Sequence, residues 1–248
     1  MSPARRLGSR AATGGVGAIL VAFAAIVAPT GVTANLHATF PAPVPIPSVP
    51  EGSAIAELDD ARCTEILREE GVAFHAYAGD SREDIRAGGV LLDGPMNGVT
   101  FAYSGREEVH AAMDCRLAVA LLAWTATLRH YGVSGMVHLS TFRPNARVAG
   151  SGRPSGHARA LAFDLRFVDF EDGTRLDVLE DWTARERGAD PCAHPETQDG
   201  PSAVMRRLVC EAVEDDIFQV VITPHHNDAH ANHVHLELRP GVTWRFAR

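Results

Sequence analysis

The chain has 248 residues, a formal net charge of −8 at pH 7 and a hydrophobic content of 46%. This length and hydrophobic content are typical of a globular domain with a sizeable core. The acidic balance, with no cluster of basic residues, argues against a nucleic-acid-binding surface.

The first 34 residues are predicted to be a secretory signal peptide. A basic start at Arg5, Arg6 and Arg10 precedes an apolar run at residues 16–27, which is too short for a comfortable membrane span. Small residues at 32–34 offer a cleavage site. Cleavage would lower the formal charge to about −11, which is typical of an exported protein. The alternative is an uncleaved N-terminal anchor, which would be the chain's contact with a membrane.

Two further segments follow the predicted signal peptide. Five prolines between positions 41 and 50 predict an extended, polyproline-like linker over residues 35–52. Residues 53–248 are predicted to form one domain of the α+β class. We expect helices packed on a mainly antiparallel sheet, with the polar face of the sheet lining a cleft.

The cysteines indicate a disulfide-bonded, exported protein. The chain has four cysteines, an even number, and they lack the Cys-x2-Cys spacing of a metal site. They are Cys63, Cys115, Cys192 and Cys210. Three pairings are possible, and the order along the chain favours Cys63 with Cys115 and Cys192 with Cys210. Buried free thiols are the alternative.

The first half of the domain is predicted to contain two helices and a small antiparallel sheet. One helix begins at Ser53 and stops at Gly71. The most regular apolar periodicity predicts a second helix that begins at Asp114 and ends before Gly132. Three short segments bounded by turn residues predict the strands of the sheet, at residues 72–75, 89–92 and 99–103.

The second half is predicted to supply the longer strands. Residues 136–141 alternate as a strand that leads to Arg143, and the alternation from Leu161 to Val168 places Asp164 on a polar face. The tail after Pro240 shows no informative pattern. The other predicted elements are a hairpin strand at 175–179, a surface loop at 183–201 anchored by Cys192, a helix from Pro201 and a buried strand at 217–223.

The segment from His230 to Leu238 carries the first set of candidate functional residues. On a strand, His233, His235 and Glu237 share one face, and the intervening apolar residues share the other. This i, i+2 spacing aims two imidazoles at a common point, so that a strand can offer a metal ligand beside a base. The alternative is a histidine-rich polar edge strand.

A second set lies upstream, around Asp164. A carboxylate in the middle of a strand needs a cation or a hydrogen-bond donor to offset its desolvation, and His157 could fold back beside it from a glycine-rich approach. If the two strands are neighbours, His157, Asp164 and His235 provide two nitrogens and one oxygen. Three protein ligands with a fourth position open are the arrangement of a catalytic zinc site.

These two sets resemble a known zinc site. The spacing Ser-x-His-x6-Asp, from Ser155 to Asp164, and the spacing His-x2-His-x-His, from His230 to His235, resemble the site of the D-alanyl-D-alanine and murein endopeptidase group. That group shares its fold with the hedgehog signalling domain. Within it, the chain is most similar to the bacterial extensin-like C-terminal domain family, from Cys63 to Leu238. The further similar stretches are residues 113–118, 141–143, 178–182 and 227–230.

The resemblance implies a hedgehog/DD-peptidase-like fold and an exported Zn2+ peptidase that acts on peptidoglycan stem peptides or their cross-links. The periplasm, the cell envelope and the extracellular space are the compartments expected. His233, two residues from a ligand, is the candidate general base. By resemblance, Arg143 contacts the substrate and the developing oxyanion, and His230 supports the ligands and the base.

A second hypothesis is a non-catalytic exported domain of the same fold, which binds the cell wall or a protein partner and keeps zinc only for structure. A structural site would not require His233 or Arg143, so their presence favours the enzyme.

Several positions carry weaker expectations. The peptidase pattern usually has glycine where this chain has Ala160, and if the turn needs a positive φ, alanine would cost about 1 kcal/mol or shift the loop. His225 and His226 are predicted to lie in a solvated loop. No functional role is predicted for His37, His75, His110, His130, His138 and His194.

Overall fold

The computed structural model describes residues 45–183, 186–193 and 200–248. The predicted signal peptide, the first part of the predicted linker and His194 lie outside these residues. In the described part, no helix is long and apolar enough to span a membrane. The end of the proline-rich segment packs on the domain: Pro47 is buried, and Asn97 Nδ2 donates to the Pro45 carbonyl oxygen at 2.9 Å.

The described residues form helices and two sheets. The strands are β1 (Phe74–Ala76), β2 (Gly89–Leu92), β3 (Thr100–Tyr103), β4 (Met113–Asp114), β5 (Val133–His138), β6 (Ala162–Phe170), β7 (Arg175–Asp177), β8 (Val220–Ile222), β9 (Val234–Glu237) and β10 (Phe246–Ala247). The α-helices are α1 (Asp60–Glu69), α2 (Cys115–His130), α3 (Val178–Asp181) and α4 (Pro201–Glu214).

The larger sheet carries the candidate site. Its strand order is β10-β8-β9-β6-β5-β3, with β7 also paired to β6. Only the β10–β8 and β3–β5 pairs of this sheet are parallel in the described residues. The smaller sheet, β1-β2-β4, is antiparallel throughout. The predicted α+β class is therefore confirmed.

Helix α2 is the central helix and begins and ends as predicted. The Asp114 carboxylate accepts from the Arg116 backbone N–H at 3.0 Å and caps the helix. Gly132 follows its end with φ of +73°, a conformation that glycine adopts without steric cost. The helix is buried on most sides, and Trp124 Nε1 donates to the Leu208 carbonyl oxygen of α4 at 3.0 Å.

The prediction of a single helix from Ser53 to Gly71 is wrong, because two helices form there. A 3-10 helix, Gly52–Glu57, precedes α1. Asp59 separates them, since its carboxylate accepts from the Arg62 backbone N–H at 2.8 Å and starts a new helix. The predicted stop at Gly71 is confirmed by its φ of +69°.

The predicted sheet partners of residues 99–103 are also wrong. These residues form β3, which joins the larger sheet parallel to β5 instead of the small antiparallel sheet. A parallel pair requires a long crossover connection, and α2 lies between these two strands in the sequence. Turn residues near the strand do not reveal a pairing made across that helix.

Other elements also differ from the predictions. The strand expected at residues 136–141 is β5, which begins and ends three residues earlier. The hairpin strand ends at Asp177, whose carboxylate accepts from the Leu179 backbone N–H at 2.7 Å and starts α3. The uninformative tail contributes β10, which pairs with β8.

The two disulfides are the predicted Cys63–Cys115 and Cys192–Cys210. They join positions 52 and 18 residues apart, and the longer loop loses more entropy on cross-linking. Loop-closure entropy predicts stabilisation by about 4 kcal/mol for Cys63–Cys115 and about 3 kcal/mol for Cys192–Cys210.

We expect replacement of Cys63 and Cys115 by alanine to lower the free energy of unfolding more than replacement of Cys192 and Cys210. Urea unfolding of the two double variants checks the order. An unchanged midpoint for either variant, or thiol labelling of the unreduced, denatured protein, would contradict the assigned bridges.

Candidate metal centre

The pairing of β6 with β9 builds the centre of the site. In this antiparallel register, Asp164 lies directly opposite His235. Side chains of directly opposed residues project to the same face of the sheet with Cβ atoms about 4.5–5.5 Å apart. The sequence alone left open whether these two strands are neighbours. The register shows that they are.

A short turn returns His157 to the same place. This turn, hereafter the His157 turn, is the 3-10 helix Gly156–Arg159, which the Ser155 hydroxyl caps by accepting from the His157 backbone N–H. Ala160 ends it in the left-handed region, with φ of 55° and ψ of 28°. The positive φ that was considered for Ala160 is therefore present, at a cost of about 1 kcal/mol relative to glycine. His157 nevertheless reaches Asp164, so alanine does not displace the ligand.

Three candidate ligand atoms converge in the protein interior. Asp164 Oδ1 lies 3.0 Å from His157 Nε2 and 3.0 Å from His235 Nδ1, and the two nitrogens are 3.1 Å apart. All three residues are buried, and this is the group of described residues whose geometry could hold a metal ion. A tetrahedral zinc with bonds of about 2.0–2.1 Å places its ligand atoms about 3.3 Å apart. The triangle therefore fits zinc with a small expansion.

The second nitrogen of each imidazole fixes which nitrogen faces the centre. His157 Nδ1 lies 2.9 Å from the Thr141 carbonyl oxygen, which can only accept, so Nδ1 carries the hydrogen and Nε2 has the lone pair. His235 Nε2 lies 2.9 Å from Glu237 Oε2, so the same argument leaves the lone pair of its neutral form on Nδ1. Partners of this kind orient metal-binding histidines and set their tautomers.

Glu237 is a functional residue to which the sequence analysis assigned no role. The alternation places Glu237 on the same face as His235. It does not distinguish a buried carboxylate from one that is exposed to solvent. In the structure it is 5% exposed and also lies 2.7 Å from Arg239 Nε. The backbone of Gly156 passes so close that a Cβ there would lie 2.5 Å from Glu237 Cδ. Glycine at 156 therefore lets the His157 turn pack against the support of His235.

The charges of the centre are strongly coupled. Burial alone would raise the pKa of Asp164, but the imidazoles of His157 and His235, which donate to this carboxylate when they are protonated, hold it well below its usual value. Burial lowers the pKa of His157. Burial would also lower the pKa of His235, but hydrogen bonds to Asp164 and Glu237 raise it to about 9. The two histidines differ because His235 contacts two carboxylates.

Because the pKa of His235 is raised, we expect metal binding to be coupled to the release of a proton. With a pKa of about 9, His235 is protonated at pH 7.5, and a metal must displace that proton to bind Nδ1. We expect zinc binding at pH 7.5 to release about one proton from His235, and the apparent affinity to rise with pH up to about 9. Calorimetry in two buffers of different ionisation enthalpy measures the release.

The variant Glu237→Gln is the matched control for this proton. Its neutral amide removes one of the two carboxylates that stabilise the charged imidazole, so proton release should fall. Equal release by the variant and the parent protein, or no release by either, would contradict the assignment.

The predicted base and arginine lie beside the triangle. His233 Nε2 is 3.5 Å from Asp164 Oδ1, and its Nδ1 is 2.8 Å from Asn232 Oδ1. Burial lowers the pKa of His233, which keeps the imidazole neutral at pH 7. Arg143 Nη2 lies 3.5 Å from the other Asp164 oxygen, Oδ2, and about half of the Arg143 side chain is exposed. Both predicted residues therefore lie beside Asp164.

His230 lies one step farther out. Its Nδ1 is 2.7 Å from Asn227 Oδ1, and its ring centroid is 5.0 Å from His233 and 6.0 Å from His235. Burial, followed by the charges of His233 and His235, lowers the pKa of His230 to about 4. It therefore lies beside His233, and its supporting role stays a prediction.

Two other histidines are placed more deeply than the sequence indicates. The prediction of a solvated loop is wrong for His225, which is 1% exposed, with its Nδ1 3.4 Å from Trp182 Nε1. Trp182 follows α3, so this burial comes from a tertiary contact that local composition does not encode. His138 is also buried, at the end of β5, and burial lowers its pKa to about 4.

Comparison with known proteins places the chain in a family. Residues 61–248 match the family described as the extensin-like protein C-terminus. No significant match was found among the curated proteins or among the solved structures. The matched region covers most of the chain and contains the converging residues of β6, β9 and the His157 turn. The chain therefore belongs to the extensin-like protein C-terminus family.

Proposed function

We propose that this protein is an exported, zinc-dependent hydrolase of amide bonds in peptidoglycan stem peptides or their cross-links. The observation that carries the proposal is the buried triangle of His157 Nε2, Asp164 Oδ1 and His235 Nδ1, with sides of 3.0–3.1 Å. In the neutral form of each histidine the other nitrogen donates to an oxygen, so both lone pairs would face the same point once His235 has lost its extra proton. This donor set suits zinc.

The number of ligands supports a catalytic rather than a structural role. Structural zinc sites almost always have four protein ligands, whereas catalytic sites keep one position for water or substrate. Bound at this triangle, zinc would supply a Lewis acid and lower the pKa of a coordinated water toward about 7. His233 and Arg143 provide the other groups that amide hydrolysis needs.

His233 is assigned the role of general base. It is neutral at pH 7 because burial lowers its pKa, so it can accept a proton from the attacking water. Its Nε2 lies 3.5 Å from Asp164 Oδ1, and this places it next to the ligand triangle. The same imidazole can then return the proton to the leaving amine.

Arg143 is assigned to the oxyanion. Its guanidinium is half-exposed and reaches Asp164 Oδ2 at 3.5 Å, a distance from which it can turn toward a bound substrate. A fixed cation beside the scissile carbonyl stabilises the charge that develops on its oxygen, and removal of one such donor typically costs about 3 kcal/mol.

The substrate class rests on the resemblance of the two motifs to the D-alanyl-D-alanine and murein endopeptidases, which also implies a hedgehog/DD-peptidase-like fold. Two disulfides are typical of exported proteins, which fits a substrate in the cell envelope. The periplasm, the envelope surface and the extracellular space all contain or adjoin peptidoglycan.

Digestion of purified peptidoglycan tests this function. The zinc-loaded protein is incubated with intact sacculi, and released fragments are identified by mass spectrometry. We expect fragments with new termini within the stem peptide or at the cross-link, and none from metal-free protein. Absence of cleavage by fully zinc-loaded protein, with retention of binding to the sacculi, would instead support the non-catalytic wall-binding domain.

A further inference from the structure

The segment that carries His157 has an unusual charge. Residues 143–163 contain four arginines and neither Asp nor Glu, in a chain whose formal net charge is −8. The segment is held by backbone hydrogen bonds, among them Val148 N–H to the Arg153 carbonyl oxygen at 2.8 Å and Ser155 N–H to the Ala146 carbonyl oxygen at 3.0 Å. Its guanidinium groups are therefore displayed from a defined backbone beside the candidate metal centre.

A groove of about 300 Å³ lies between the His157 turn and the end of β9. This surface, hereafter the arginine groove, is lined by Arg153, Arg159 and Arg239 together with Leu161, Leu238 and Val242. Glu237 also lines it, so the groove adjoins the carboxylate that orients the ligand His235.

Two of the three groove arginines have no acidic partner within ion-pair distance among the described residues. Arg239 is neutralised by Glu237, with Nε and Oε1 2.7 Å apart. Arg153 and Arg159 make no ion pair within 4.0 Å with any residue that the structure describes. Both are exposed. The groove lining therefore has three arginines and one carboxylate, that of Glu237, in a protein that is acidic as a whole.

We propose that the arginine groove binds a carboxylate of the substrate peptide. A planar guanidinium binds a carboxylate through two parallel hydrogen bonds. This inference rests on the proposed function for its substrate, because stem peptides carry free carboxylates. Phosphate groups of wall polymers offer related anionic chemistry.

The test compares two double variants with the same change in charge. Arg153→Gln with Arg159→Gln removes the free cations of the groove. Arg68→Gln with Arg207→Gln removes two exposed arginines of α1 and α4 that lie outside the groove. Sedimentation with purified sacculi measures the dissociation constant, and zinc content with thermal unfolding confirms that both variants are folded.

We expect the groove variant to bind sacculi on the order of tenfold more weakly than the parent, and the control variant to bind within about twofold of it. The difference should shrink at high salt, because the contacts are exposed ion pairs. Chemical amidation of the peptide carboxylates should abolish the difference, whereas hydrofluoric acid removal of phosphate polymers should leave it intact.

Each other outcome overturns the inference. Equal binding by the two double variants, or no measurable binding by the parent protein, would remove the groove as a binding site. Loss of the difference after hydrofluoric acid but not after amidation would replace the carboxylate with phosphate. Failure of the hydrolase proposal is distinguishable, because arginine-dependent binding would then persist without cleavage.

Discussion

His157→Ala, Asp164→Ala and His235→Ala are each expected to lose most of the bound zinc and the activity that depends on it. Each change removes one of the three candidate ligand atoms that the described residues bring together, which lie 3.0–3.1 Å from one another. Loss of a hydrogen-bond partner that merely supports a ligand costs about 10- to 100-fold in metal affinity, and loss of a ligand should cost more. Competition with a chromophoric chelator measures the affinity of each variant.

Two variants calibrate this experiment. Glu237→Gln alters the support of His235 and should fall between the parent and the ligand variants, because the amide oxygen can still accept from Nε2. His75→Ala removes an exposed histidine of β1, which pairs with Asp93, and should retain zinc at the parental affinity. Ligand variants that bind zinc as tightly as the His75 control would exclude the proposed centre.

His233→Ala is expected to keep the zinc and lose turnover. His233 precedes β9 and is not one of the three candidate ligands, so its removal should leave those ligands and the pairing of β6 with β9 in place. Its Nε2 lies 3.5 Å from Asp164 Oδ1, close enough to act on a molecule bound beside the ligands. A positioned general base contributes about 10²- to 10⁴-fold, which corresponds to roughly 3–5 kcal/mol of barrier. Turnover of a defined stem peptide, normalised to bound zinc, gives the size of the effect.

The contrast with His235→Ala separates the two roles. That variant should lose both metal and activity, although the two residues are only two positions apart. His226→Ala serves as a histidine control from the preceding loop. Loss of zinc by His233→Ala, with retention by His235→Ala, would mean that the ligand and the base are assigned the wrong way round.

The sequence could predict the components of the site because their signals are local. Alternation along a strand places Asp164 on a polar face and His235 on the same face as His233, and motif spacing links them to His157. The register that sets Asp164 opposite His235 is made across 71 positions of the chain, and no local pattern encodes it. The resemblance to a known zinc site supplied this missing information.

The features that sequence analysis missed arise from tertiary packing. Glu237 contacts His235 within one strand, but the sequence does not show that Glu237 is buried, because Gly156 of the distant His157 turn packs against it. His225 is buried by Trp182, and β3 joins the larger sheet because α2 returns the chain to a parallel neighbour. In each case the contacting residues come from distant parts of the chain, so composition and turn residues give no signal.

X-ray absorption at the zinc edge of the loaded protein tests the metal centre most directly. The account predicts two imidazole nitrogens and light oxygen ligands at about 2.0–2.1 Å, with no sulfur, since the four cysteines are bonded in disulfides. In the His233→Ala variant the imidazole contribution should be unchanged. A spectrum with sulfur ligands, or one that loses an imidazole when His233 is replaced, would contradict the assignment of His157, Asp164 and His235 as the metal ligands.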